Sequence, residues 1–328
     1  MAVQHGIVSP GSILRPPISA DFLAKATPAR VGLVIALIGI MVAMVAFIGS
    51  LVNADTVADG GIADSGALAN NAWTFGVATA GFAFLKIGIA LVLLGIVRRL
   101  WVRVESVKVG LATLLPAADD RGKIDSATTT TPYGPATVTQ KAPGSLGIHR
   151  MAYKMWAPML VMGAMAVGIG LVFAIIEAVA GSDGDASDFR TFSALAQGTE
   201  FLGEALILAG ISFLLGSILG SLRQGGGEVQ ESLGAVVKTP AMPTSAKVFV
   251  MLMMVGLMLG MVQFVVYLVA AAEDDAATVA TYFAWLGPLR EASLGIMLTG
   301  IVLALATIGT KILPFQFWRI QELIRTGK

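Results

Sequence analysis

Three charged residues inside long apolar stretches are the strongest candidates for chemistry in this chain. Lys86 lies near the centre of one stretch, and Glu204 and Glu291 occupy comparable places in two others. A charge at the centre of a bilayer costs about 2.5–3.5 kcal/mol unless it is paired or hydrated. Because roughly 18 Å of helix separates Lys86 from either end of its stretch, its side chain is too short to reach a membrane surface. We therefore expect a buried cluster of Lys86, Glu204 and Glu291.

Two interpretations of this cluster follow from its residue types. In a transporter, a buried lysine with two carboxylates would relay protons or ions, or contact a polar substrate. In a structural role, the ion pair would fix how neighbouring helices are aligned, as interhelical polar contacts commonly do. The sequence favours the structural clamp, because no further chain of acidic or histidine residues leads from the cluster to either surface. Glu177, near the end of its stretch, is expected at the membrane interface.

The composition argues against most other chemistry. The chain has no cysteine, and its two histidines, His5 and His149, lie in polar segments outside the apolar stretches. Thiolate nucleophiles, iron–sulfur clusters and intramembrane haem therefore lack their usual ligands, and an intramembrane protease lacks its histidine. We expect no enzymatic activity, no metal and no cofactor. The net charge of +1 offers no basic surface for nucleic acid.

Six apolar stretches are long enough to position these charges inside a membrane. Hydrophobic residues make up 56% of the 328 residues and charged residues only 13%, against roughly 25% charged in a soluble domain. A spanning helix needs about 20 apolar residues, and the tryptophans fall at the ends of the stretches, as in aromatic belts. The sequence therefore predicts an all-α integral membrane protein with six transmembrane helices, at approximately 30–52, 73–97, 156–180, 200–222, 248–271 and 284–312.

The segments between these helices alternate in charge. Three short connections are acidic, containing Asp55, Asp59 and Asp64, then Asp183, Asp185 and Asp188, then Glu273, Asp274 and Asp275. Nearly all of the 22 Lys and Arg residues lie in the other segments. Under the positive-inside rule this pattern predicts a multi-pass protein of the inner membrane, with both termini and the long middle loop in the cytoplasm.

The three hairpins also resemble one another. Each second helix follows a threonine and an aromatic residue, and each ends in a segment with apolar residues at helical spacing. This pattern predicts three repeated helical hairpins, each followed by a short amphipathic interfacial helix. The alternative is coincidence, because Leu, Ala, Gly and Val dominate every span. The three amphipathic segments are Val104, Val107, Leu111 and Leu114; Val229, Leu233 and Val236; and Phe317, Ile320, Leu323 and Ile324.

Five regions follow from these boundaries. Residues 1–29 are expected to form an extended, proline-rich cytoplasmic arm, and 30–116 the first hairpin repeat. Residues 117–155, rich in Thr, Pro, Ala and Gly, are expected to form an irregular cytoplasmic loop. Residues 156–240 form the second repeat, and 241–328 the third with its C-terminal amphipathic helix.

Pairs of glycines at four-residue spacing predict where helices approach closely. Gly216 and Gly220 lie in the fourth stretch, and Gly256 and Gly260 in the fifth. With 38 glycines in the chain, some pairs at this spacing are expected by chance.

Taken together, these features favour a non-catalytic polytopic membrane subunit or scaffold. We expect it to contact membrane lipids and to pack against other membrane protein subunits in a larger complex, or to form a homo-oligomer. The alternative is a small transporter or an ion or proton channel organised around Lys86, Glu204 and Glu291. The lack of proline in the central parts of the spans weighs against the broken helices that many transporters use.

Overall fold

The computed structural model describes residues 28–60, 65–114, 127–144 and 147–326. The predicted N-terminal arm, apart from its last two residues, lies outside these ranges. Six long helices are each apolar and long enough to cross a membrane, as predicted for a multi-pass membrane protein. They are α1 (Pro28–Gly60), α2 (Ser65–Leu114), α3 (Gly147–Asp183), α4 (Ala186–Ser232), α5 (Thr244–Ala271) and α6 (Ala276–Thr307), followed by α7 (Leu313–Thr326).

Acidic residues of the short connections begin two of the helices. Asp185 accepts hydrogen bonds from the backbone N–H groups of Ser187 and Asp188, both at 3.0 Å. Asp275 accepts from the N–H of Thr278 at 3.0 Å and from its hydroxyl at 2.6 Å, and these bonds lower the pKa of the Asp275 carboxyl. Such caps satisfy N–H groups that the first helical turn leaves free. The acidic loop residues therefore have a local structural role.

Helix α4 forms the core of the bundle. It contacts α2, α3, α5 and α6, and almost every side chain from Phe201 to Leu215 is buried. Consecutive helices pair as hairpins, α1 with α2, α3 with α4 and α5 with α6. Helix α1 packs along α2 and turns apolar side chains such as Leu33, Met41 and Ile48 outward. The bundle is thus organised around one central helix.

Glycines allow the helices of a hairpin to touch backbone to backbone. A Cβ atom placed on Gly163 of α3 would lie 2.8 Å from the carbonyl oxygen of Gly203 of α4, and one placed on Gly203 would lie 2.8 Å from the carbonyl oxygen of Gly163. Gly32 and Gly88 meet in the same way between α1 and α2. Neither pair of facing glycines was predicted from the sequence.

The glycines predicted from four-residue spacing face several different helices. Gly220 and Gly216 of α4 both face α3: a Cβ on Gly220 would lie 2.6 Å from the His149 ring, and one on Gly216 would lie 3.5 Å from Ala152. In α5, Gly256 faces Met297 of α6, whereas Gly260 faces Ala205 of α4. Gly216 therefore has the loosest surroundings of the four.

The segment predicted to be irregular contains two β-strands. Strands β1 (Ala127–Thr131) and β2 (Gly134–Thr139) pair antiparallel, and β3 (Val237–Pro240) pairs with β2 on its other side. Gly134, with a φ of +112°, closes the tight turn between β1 and β2. The strands form because Thr and Val suit extended backbone, and Val138 and Val237 are buried. Within 117–155 the structure therefore differs from the expected loop, and α3 begins as early as Gly147.

The three predicted amphipathic segments differ from one another. The first is continuous with α2, which runs without a break to Leu114, whereas α4 ends at Ser232, so Val229 lies in the helix and Leu233 and Val236 follow it. After the third hairpin, a π-helical turn at Ile308–Ile312 leads into α7 as a distinct helix. Leu323 of α7 packs against Val229 and Leu233 from the end of α4, whereas Phe317 and Ile324 are exposed.

Polar contacts attach α7 to the end of α4 and to the sheet. Arg319 donates to Gln230 at 2.9 Å, to the Val236 carbonyl at 2.8 Å and to Glu322 at 2.5 Å. Lys238 of β3 donates to Glu322 at 2.8 Å. Since Arg319 is 3% exposed, these bonds satisfy a guanidinium that has almost no access to water. This end of the molecule is held by specific polar contacts.

Candidate functional site: an ion-paired cluster between the helices

A salt bridge joins two of the three predicted cluster residues. The Lys86 ammonium of α2 lies 2.5 Å from Oε1 of Glu204 on α4. Their side chains are only 19% and 5% exposed, so neither charge is well solvated by water. This pairing was predicted from the sequence, because a lysine in the middle of a span needs an acidic partner.

Arg290, not Glu291, contributes the third charge. Its Nη2 donates to Oε2 of Glu204 at 2.9 Å, whereas Glu291 has an exposed side chain on another face of α6. The reason is geometric: with 3.6 residues per turn, adjacent positions point about 100° apart. The expected Lys–Glu–Glu cluster is therefore a Lys86–Glu204–Arg290 cluster in the structure.

Aromatic rings surround the Arg290 guanidinium. Its centre lies 5.2 Å from the ring centroid of Phe75 on α2 and 5.8 Å from that of Phe201 on α4. A guanidinium at such distances is attracted to the faces of the rings. The Arg290 side chain is 13% exposed. Arg290 is thus held by both α2 and α4.

A second carboxyl group lies one turn from Glu204. Glu200 is 0% exposed; the Thr79 side chain adjoins its carboxyl group, but neither carboxyl oxygen meets the geometry of a hydrogen bond to a described residue. Two small residues make room for it: a Cβ on Gly76 of α2 would lie 3.2 Å from Oε1, and Gly170 of α3 faces its backbone. Sequence reasoning missed Glu200, although its four-residue spacing from Glu204 places both on one helical face.

Glu177 of α3 belongs to the same region. It was expected at the membrane interface, but the structure buries it between helices, at 5% exposure. Glu177, Glu204 and the Arg290 cation all lie within electrostatic range of the Glu200 carboxyl, and the Thr79 side chain adjoins it. Two cations therefore face three carboxyl groups. Because unpaired buried charge is costly, we expect one of these carboxyls to carry a proton.

The cluster lacks the features of a metal site. Across the described ranges, no group of three or more His, Cys, Asp or Glu side chains is arranged to hold a metal ion. Both oxygens of Glu204 are already engaged by cationic side chains. The arrangement can bind helices together, and at Glu200 it can hold a proton.

Comparison with models of known protein families, with curated proteins and with solved structures finds no match to this chain.

Proposed function

We propose that this chain is a non-catalytic polytopic membrane subunit or scaffold. The observation that carries the proposal is that Glu204 joins the second helices of all three hairpins, accepting from Lys86 of α2 and Arg290 of α6. A carboxylate with a cation on each oxygen stabilises one arrangement of these helices. We therefore assign the cluster a clamping role.

The outer surface supports the same proposal. Met41 of α1, Met165 of α3 and Met258 of α5 are 60%, 62% and 61% exposed, and their neighbours on the outer faces are also apolar. Methionine is flexible and adapts to differently shaped partners. On this proposal the faces contact lipids and either other membrane proteins or further copies of this chain. The finer assignment, to the inner membrane with both termini in the cytoplasm, rests on the separation of acidic and basic segments.

Cysteine cross-linking tests the proposal directly, because the chain has no cysteine of its own. Met41→Cys, Met165→Cys and Met258→Cys each place one thiol on an outer face. In native membranes treated with a short thiol-reactive photo-cross-linker, we expect at least one of these variants to form a discrete protein adduct.

Ala205→Cys provides the matched control, since Ala205 is 0% exposed and a thiol there should form no adduct. If all three outer positions label efficiently but form adducts with lipid alone, the subunit proposal is wrong.

Glu200 favours a second candidate function, a proton transporter or channel. A fully enclosed carboxyl between membrane-spanning helices is the kind of group that binds and releases protons in transporters. In this reading Glu200 takes up and releases the proton, while Lys86, Glu204 and Arg290 set the charge around it. This candidate replaces the expected Glu291 with Glu200.

A further inference from the structure

We propose that the cavity between α3, α4 and α5 binds an anionic phospholipid, with an acyl chain inside and the phosphate beside Lys247. The cavity has a volume of about 550 Å³ and lies between the first turns of α3 and α5 and the middle of α4. This inference goes beyond the proposed function and holds for either candidate.

The lining suits a hydrocarbon chain. It is almost entirely apolar and includes Ala152, Phe213, Leu219, Phe249 and Met253. Cavities that bind small molecules typically measure about 300–1,000 Å³. Methionine side chains also line it, and their flexibility allows them to follow the shape of a chain.

The cavity opens through the side of the bundle. Ile148, Met151 and Met254 line it and are themselves exposed. Exposed apolar residues on a transmembrane bundle face the bilayer, so a lipid can enter laterally without crossing water.

Two polar atoms in the cavity wall have no protein partner. Nδ1 of His149 lies 3.1 Å from the Gly216 carbonyl oxygen, to which it donates, so Nε2 is left as an acceptor. Within the described chain, neither this Nε2 nor the hydroxyl of Ser212 has a partner. Buried polar atoms are nearly always hydrogen-bonded. Both atoms are enclosed by protein, so the lipid would be held by the apolar lining and by the charge at the opening.

The charge around the opening favours an anionic headgroup. Lys247 lines the cavity and is exposed. Arg223 lies within electrostatic range of His149. The N-termini of α3 and α5 both lie at this end and add partial positive charge. Basic pockets of this kind between transmembrane helices bind anionic headgroups.

Native mass spectrometry of the purified chain in lipid-doped detergent micelles tests the proposal. With phosphatidylglycerol as the probe, we expect the wild-type chain to retain one lipid, and to retain phosphatidylcholine about fivefold less well. Lys247→Gln should abolish most of this preference. Gly216 lines the cavity, so Gly216→Leu should occupy part of its volume and reduce retention of both lipids.

Lys311→Gln is the matched control, because Lys311 is exposed and does not line the cavity. It should retain phosphatidylglycerol as the wild type does. The proposal is overturned if the wild type retains neither lipid or shows no preference, or if Lys247→Gln retains the preference of the wild type. Should Gly216→Leu fail to fold, Lys247→Gln alone decides the outcome.

Discussion

Glu204→Gln is expected to destabilise the folded chain by about 3–5 kcal/mol. The substitution removes the carboxylate to which Lys86 and Arg290 both donate, and it leaves two mostly buried cations without a salt-bridge partner on Glu204. Lys86→Met should cost less, because Arg290 remains on the second oxygen of Glu204. Combining Glu204→Gln with Lys86→Met and Arg290→Leu should recover much of the stability, because the two cations are removed together with their carboxylate and Glu177 and Glu200 can then both take up protons. Thermal unfolding in detergent measures each variant.

Glu291→Gln is the matched control for this series. It makes the same chemical change at the exposed position that the sequence had favoured, and should alter stability by no more than about 0.5 kcal/mol. Equal losses for Glu204→Gln and Glu291→Gln would contradict the cluster. So would strictly additive losses in the triple variant, because they would mean that the three charges do not interact.

Gly163→Leu is expected to separate α3 from α4 and prevent normal folding. Even a single Cβ there would lie 2.7 Å from Ile207 and 2.8 Å from the Gly203 carbonyl oxygen. Gly163→Ala should therefore destabilise by about 1–3 kcal/mol, the usual cost of overpacking. The measurement is again thermal unfolding, with yield of monodisperse protein as a second readout.

Gly168→Ala controls for the change in helix propensity. Gly168 lies on the same helix, and a Cβ there would meet nothing within 4 Å. Alanine in a helix is favoured over glycine by roughly 0.5–1 kcal/mol, so this variant should be neutral or slightly more stable. If Gly163→Ala behaves like Gly168→Ala, the close contact between the two backbones is wrong.

The number and approximate positions of the spans could be predicted because they depend on length and apolarity alone. The rotation of each helix about its axis could not. Helices such as α5 and α6 are apolar on every side, so their periodicity does not reveal a buried face. For this reason Arg290, and not the predicted Glu291, belongs to the cluster. The predicted position along α6 was correct to within one residue, but the predicted face of the helix was wrong.

The sheet was missed for a different reason. Strands β1 and β2 come from a Thr-rich segment whose composition is also typical of loops. Their third strand lies far along the chain, after the fourth span, and such pairing is not visible in a local pattern. The only local indication of strands in these segments was the pair of valines, Val138 and Val237, that the strand pairing buries. The four-residue spacing of Glu200 and Glu204 was a clearer signal, and it would have added Glu200 to the candidate site.

Proton flux into liposomes tests the central claim most directly, because it separates a structural clamp from a transport site. The purified chain is reconstituted with a pH-sensitive dye inside the vesicles, and a pH gradient is applied. As a subunit whose charges hold helices together, the wild-type chain should give flux no greater than protein-free liposomes. Flux well above that level, lost in a folded Glu200→Gln variant and retained in Glu291→Gln, would contradict the account and establish the transporter.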